Sequence, residues 1–237
     1  MTAPQVTPWS LEPGLLSEGP RWNEERQELL WVDILGRGFH RATLTADGGP
    51  DQVRTMALDR HVGAVAPVMG GGYVLAAGQG FLFVDEAGSV HELAQPEAGH
   101  VEVRMNDGAC DPQGRFWAGT MAYDESPGAG TLYRLELDGR CSSVLTGLTI
   151  SNGIGWSPDG GTMYLSDSGT GSVDAFDFDG SSGAIGGLIA VFGVSQLVGS
   201  ILSPRFQKLL SMIEEMVRDL IRAGLFVVDL VDFSFVE

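Results

Sequence analysis

Four strand centres, Trp31, Val74, Trp117 and Tyr164, fall 43, 43 and 47 residues apart. A period of about 40 to 50 residues with several short strands per unit is the signature of a β-propeller blade. In the first unit a polar turn, Asn23-Glu24-Glu25-Arg26, leads into the strand around Trp31, and Phe39-His40-Arg41-Ala42 is its hairpin partner. The second has a strand from Ala64 to Val68, a Gly70-Gly71-Gly72 turn and strands Tyr73 to Ala77 and Gly80 to Val84. In the third, Asp111-Pro112-Gln113-Gly114 turns the chain into Arg115 to Ala118, with Thr131 to Leu137 next. In the fourth, Pro158-Asp159-Gly160 is the turn and Ser172 to Phe178 the closing strand. One face of such a unit cannot be hidden alone, so neighbouring units must stack on it. The pattern predicts a mainly β chain, a partial β-propeller of about four blades. A plain β-sandwich is the alternative.

Thirty-four glycines in 237 residues fit many tight turns better than a helical bundle. A net charge of -17 argues against nucleic acid, because phosphate repels such a surface. Cys110 and Cys141, the only cysteines, form neither a disulfide framework nor a zinc pattern. They read as reduced thiols of a cytoplasmic protein. The N-terminal residues have no basic stretch followed by an apolar run, so no signal peptide is expected.

Polar side chains crowd one stretch. Arg104, Asn106 and Asp107 stand within four residues, just before the third unit's turn and strand. A set of this kind on a rigid β scaffold is a candidate site, although Asn-Asp-Gly is also a common turn. Glu18 places a carboxylate before the Gly19-Pro20 break, where a solvated loop residue is the plain alternative.

The composition shifts after Asp179-Gly180. Every tryptophan, tyrosine and histidine precedes residue 181, and no charge occurs from Gly180 to Pro204. The apolar segment Ile185 to Leu202 approaches membrane-spanning length, but its glycines and lack of flanking anchors make a span the lesser reading. Ser203-Pro204 is a helix start, and Phe206, Leu209, Leu210, Ile213, Met216, Val217, Leu220 and Ile221 form one stripe. Leu225 to Val236 reverts to a strand-like run. We therefore divide the chain into propeller blades over 1–180 and an α-rich, divergent tail over 181–237. The apolar tail is a candidate surface for self-association.

Five motifs in order resemble one family, the senescence-marker-protein, regucalcin and gluconolactonase group of six-bladed propellers. They are Ser17-Glu18-Gly19-Pro20-Arg21-Trp22, Arg104-Met105-Asn106-Asp107-Gly108, Gly114-Arg115-Phe116-Trp117-Ala118-Gly119-Thr120-Met121, Ile150-Ser151-Asn152-Gly153 and Val173-Asp174-Ala175-Phe176-Asp177. The resemblance covers residues 15 to 180. It implies hydrolysis of a sugar lactone at a divalent metal ion, calcium, zinc or magnesium. By that resemblance Glu18 and Asn152 are metal ligands, and Arg104 and Asn106 contact substrate. Tyr123 takes the place of a substrate-binding glutamate. A third family ligand, an aspartate in a later Pro-Asp-Gly motif, has no match here, so the catalytic base is unassigned. Glu18 alone offers one negative charge to a dication, and Asp107 or Asp167 is expected to stand in. The alternative function is that of a calcium-binding propeller fragment, or an interaction module, without turnover.

Overall fold

The computed structural model describes residues 13–45 and 49–193. Four antiparallel sheets follow one another, each a four-stranded meander whose spatial order is its sequence order. The first holds β1 (Ser17–Asn23), β2 (Glu28–Asp33), β3 (Gly38–Leu44) and β4 (Pro50–Ala57). The second holds β5 (Val62–Pro67), β6 (Tyr73–Ala77), β7 (Gly80–Val84) and β8 (Val90–Ala94). The third holds β9 (Val103–Cys110), β10 (Phe116–Ala122), β11 (Gly130–Leu135) and β12 (Cys141–Leu148). The fourth holds β13 (Ser151–Trp156), β14 (Thr162–Asp167), β15 (Ser172–Asp179) and β16 (Ala184–Gly193). The first strands lie side by side, β1 against β5, β5 against β9 and β9 against β13, so the sheets fan like propeller blades. Trp31, Val74, Trp117 and Tyr164 all sit in second strands, which is why their spacing reports the repeat.

Three apolar layers hold the blades together. Leu30, Val32 and Phe39 of the first pack on Val65, Leu75 and Leu82 of the second. Val74, Ala76 and Phe81 then pack on Met105, Phe116 and Tyr133 of the third. Trp117 and Leu132 meet Met163, Leu165, Phe176 and Phe178 of the fourth. Burying one such large side chain contributes about 1.5–3 kcal/mol, so these layers dominate the stability of the array. Position in the array also sets the burial pattern. Strands β6 and β10, covered on both faces, are buried throughout. Strand β14 alternates strictly between buried and half-buried positions, and β2 does so over its first four residues. Each has a neighbouring blade on one face only among the described residues.

The joint between the third and fourth blades is partly polar. Asp111 accepts from the Trp117 indole at 3.0 Å and from Arg115 Nε at 2.6 Å. Arg115 donates on to the Gly180 carbonyl at 2.7 Å, and Arg134 donates to that of Gly183. These carbonyls belong to the turn before β16, which pairs with β15 from Asp179↔Ala184 to Ser172↔Gly193. The fourth blade therefore runs past the boundary placed at residue 180, and the start of the apolar segment is its outer strand. The expected helix after Ser203 and the strand-like run after it lie outside the described residues. No helix among the described residues is long and apolar enough to cross a membrane.

Candidate functional site

Blades one and four begin in the same way. Ser17 pairs with Asp33 and Ser151 with Asp167, each aspartate ending a second strand. Asp33 accepts N–H bonds from Leu15, Leu16 and Gly36, all at 2.9 Å. Asp167 accepts from Thr149 and Ile150 at 2.9 Å and from Gly169 at 3.0 Å. Burial acts to raise the Asp33 carboxyl, but the bonds from Leu16, Gly36 and Leu15 outweigh it and hold the group below its ordinary range. Both carboxylates latch the incoming chain to its blade. Asp167 is thereby engaged by three backbone N–H groups at the start of its own blade.

Just past each latch the first strand bulges. The register slips between Glu18 and Arg21 in β1 and between Asn152 and Ile154 in β13. Gly19 and Gly153 take φ of 59° and 52°, which a residue with a Cβ adopts only at a cost. Glu18 and Asn152 thus hold equivalent places on two blades. Strand β9 slips where Asn106 and Asp107 stand opposite Gly119. In β5 the slip falls at Gly63, whose added Cβ would lie 2.1 Å from the Asn106 carbonyl oxygen, so only glycine lets these strands approach.

Asp107 joins the set. Its Oδ2 accepts the Gly153 N–H at 2.8 Å and its Oδ1 that of Gly108 at 2.7 Å. It also acts on Glu18, whose carboxyl is raised first by burial and then by the Asp107 charge, with Arg104 opposing. The structure therefore brings Glu18, Asp107 and the Asn152-Gly153 bulge into one neighbourhood. The Asn152 amide donates to Ser168 Oγ at 3.1 Å, and its Oδ1 accepts the Gly153 N–H at 3.2 Å. Two mutually repelling carboxylates with an amide oxygen beside them suit a hard divalent cation, which would relieve the repulsion. Among the described residues no three His, Cys, Asp or Glu side chains form a metal cluster.

The substrate-contact candidates surround these groups. Arg104 is buried and donates to Asn106 Oδ1 at 2.7 Å and to the Met105 carbonyl at 3.1 Å. Asn106 donates in turn to the Ser151 carbonyl at 2.8 Å, tying the third blade to the fourth. Burial lowers the Arg104 pKa, and the charges of Tyr123, Glu18 and Glu125 oppose that shift. Half-exposed Tyr123 shares a hydrogen bond of 2.9 Å with His61 Nδ1. Burial, then the charges of Arg37 and Arg104, push the His61 pKa down, which favours the neutral ring. His61 belongs to no motif and was missed. Its only sequence signal is its position before the first strand of the second blade.

Residues 16–197 match the family described as SMP-30/Gluconolactonase/LRE-like region. Regucalcin of Danio rerio is 37% identical over 174 residues, covering 72% of this chain and 57% of that protein. The 6-deoxy-6-sulfogluconolactonase of Pseudomonas putida is 34% identical over 157 residues, 66% of this chain and 53% of the enzyme. Among solved structures, a calcium-binding protein, regucalcin from Agrobacterium tumefaciens, superposes with a TM-score of 0.69 at 29% identity, covering 77% of this chain and 60% of that one. The chain thus spans less than two thirds of the length of these relatives. With a family match over most of its length, the chain belongs to the SMP-30/gluconolactonase/LRE-like family.

Proposed function

We propose that this protein hydrolyses a sugar lactone, with Glu18, Asp107 and Asn152 holding a divalent cation and Arg104, Asn106 and Tyr123 orienting the substrate. The observation that carries this reading is Asp107, which bonds the bulge beside Asn152 and repels Glu18. Two lactonase-type and regucalcin-type relatives support the substrate class and the cation. The bound cation would supply Lewis-acid polarisation of the ester carbonyl. The chain's own residues do the rest. Among the described residues Arg104 donates to Met105 and Asn106 through Nη1, which leaves Nε and Nη2 as the groups proposed to donate to ester or sugar oxygens. Asn106, fixed through the Ser151 carbonyl, keeps Arg104 in place. Tyr123 presents its hydroxyl at the exposed rim, where His61 sets its direction. In the reaction, water oxygen joins the acyl carbon, the ring C–O bond breaks, the ring oxygen takes one water proton, the other passes to solvent, and the hydroxy acid leaves as its carboxylate.

A second reading is cation binding without turnover, favoured by the presence of only two carboxylates in the set. An indicator assay on glucono-δ-lactone with calcium, magnesium or zinc separates the two. Turnover that a chelator abolishes is the expected result. Calcium binding without any chelator-sensitive rate would establish the second reading instead.

A further inference from the structure

Away from the bulges, the outer edge of the first blade carries an unexplained concentration of positive charge. Arg41 on β3 and Arg54 on β4 stand directly opposite each other in the register. Like charges in that relation destabilise a sheet unless something neutralises them. Among the described residues neither guanidinium has a carboxylate partner within salt-bridge distance. Arg41 donates to the Tyr73 hydroxyl at 2.7 Å, and Arg54 to Gln52 Oε1 at 3.3 Å. Both line a cleft of about 250 Å³ together with Arg26, Glu28, Thr43 and Gln52. Arg26 pairs with exposed Glu86, and the buried Glu28 is engaged by Tyr73 at 2.7 Å and by Asn23 at 3.2 Å. Three of the thirteen arginines of a chain with net charge -17 therefore share one cleft. The backbone there departs from a plain ladder: the register slips between Arg41 and Thr43, and Gln52 holds a φ of 47°. Strain of that kind in a non-glycine residue is more often kept at binding sites than elsewhere.

We infer that this cleft is a binding site for a small phosphate-bearing anion, with Arg41 and Arg54 as its primary contacts. Guanidinium forks match phosphate oxygens in pairs, and an anion between two facing arginines removes their repulsion. Arg26 and the Gln52 amide surround them with further donors. A tetrahedral group with several acceptor oxygens uses more of these than a lone carboxylate can. The site is independent of the proposed lactone chemistry.

The test uses the full chain and inorganic phosphate. Thermal unfolding is followed with phosphate and with chloride at matched ionic strength, alongside phosphate titration by calorimetry. At phosphate ten times above its Kd, the melting temperature should rise by about 3–6 °C over the chloride control. Arg54→Gln and the double variant Arg41→Gln/Arg54→Gln should lose most of that rise, and Arg140→Gln, an exposed arginine elsewhere, should keep it. Arg54→Gln should also leave the phosphate-free protein as stable as the parent or more so, because one of two repelling charges is gone. An equal phosphate effect in parent and double variant, or none in the parent, overturns the inference. A rise with malonate but not with phosphate overturns the phosphate assignment.

Discussion

Strands β1 and β13 start alike and end up different. Each is latched by an aspartate of its second strand, and each then bulges at a glycine with positive φ. At the equivalent place one carries Glu18 and the other Asn152. The repeated part is backbone architecture, and the varied part is one side chain. A propeller can therefore change what it presents at its centre without disturbing the blade that presents it. Asp33 and Asp167 belong to the architecture, whereas Glu18, Asp107 and Asn152 make up the proposed site.

That division can be broken most directly at the latches. Asp33→Ala and Asp167→Ala each leave three backbone N–H donors without their acceptor, most of them part-buried, and each should cost about 1–3 kcal/mol in denaturant unfolding. If either is near neutral, the two blades are not built alike. A smaller effect separates the bulges. Gly19→Ala meets nothing closer than 3.9 Å, so only its φ is strained, at about 1 kcal/mol. Gly153→Ala adds a contact 3.0 Å from Ser166 Oγ and should cost more than Gly19→Ala in the same assay. The smallest effect is at Glu18. Its folded carboxyl is raised, so the protonated form is favoured by folding and ionisation costs stability. Glu18→Gln should be more stable than the parent above the raised range of Glu18. The difference should fade as pH drops below the ordinary glutamate range. A gap that persists at low pH would place the cause elsewhere than in ionisation.

The repeat was legible because second strands carry the core. Trp117 and Val74 are buried and Trp31 and Tyr164 half-buried in second strands, and their spacing survives in the sequence. Strand β16 was not legible. Its place rests on backbone pairing with β15, and its glycine-rich composition says little about an outer strand. The latch role of Asp33 and Asp167 was hidden for a similar reason. An aspartate at a strand end reads as a turn until the register shows which N–H groups it faces. Motifs named Glu18, Arg104, Asn106 and Asn152. The preference for Asp107 over Asp167 in the proposed site rests on the fold, which sets the Asp107 charge against Glu18 and bonds Asp107 to the bulge beside Asn152. His61 carries no motif and enters the site through its contact with Tyr123.

The central claim is that the first strands of three blades contribute to one cation site, with Asp107 as its second carboxylate. Calorimetric titration of the full chain with calcium and with zinc tests it most directly. The parent should bind one ion per chain, and Asp107→Asn should weaken that binding tenfold or more while Asp167→Asn, if folded, retains it. Equal affinity in the parent and Asp107→Asn, or no binding by the parent at all, would contradict the account.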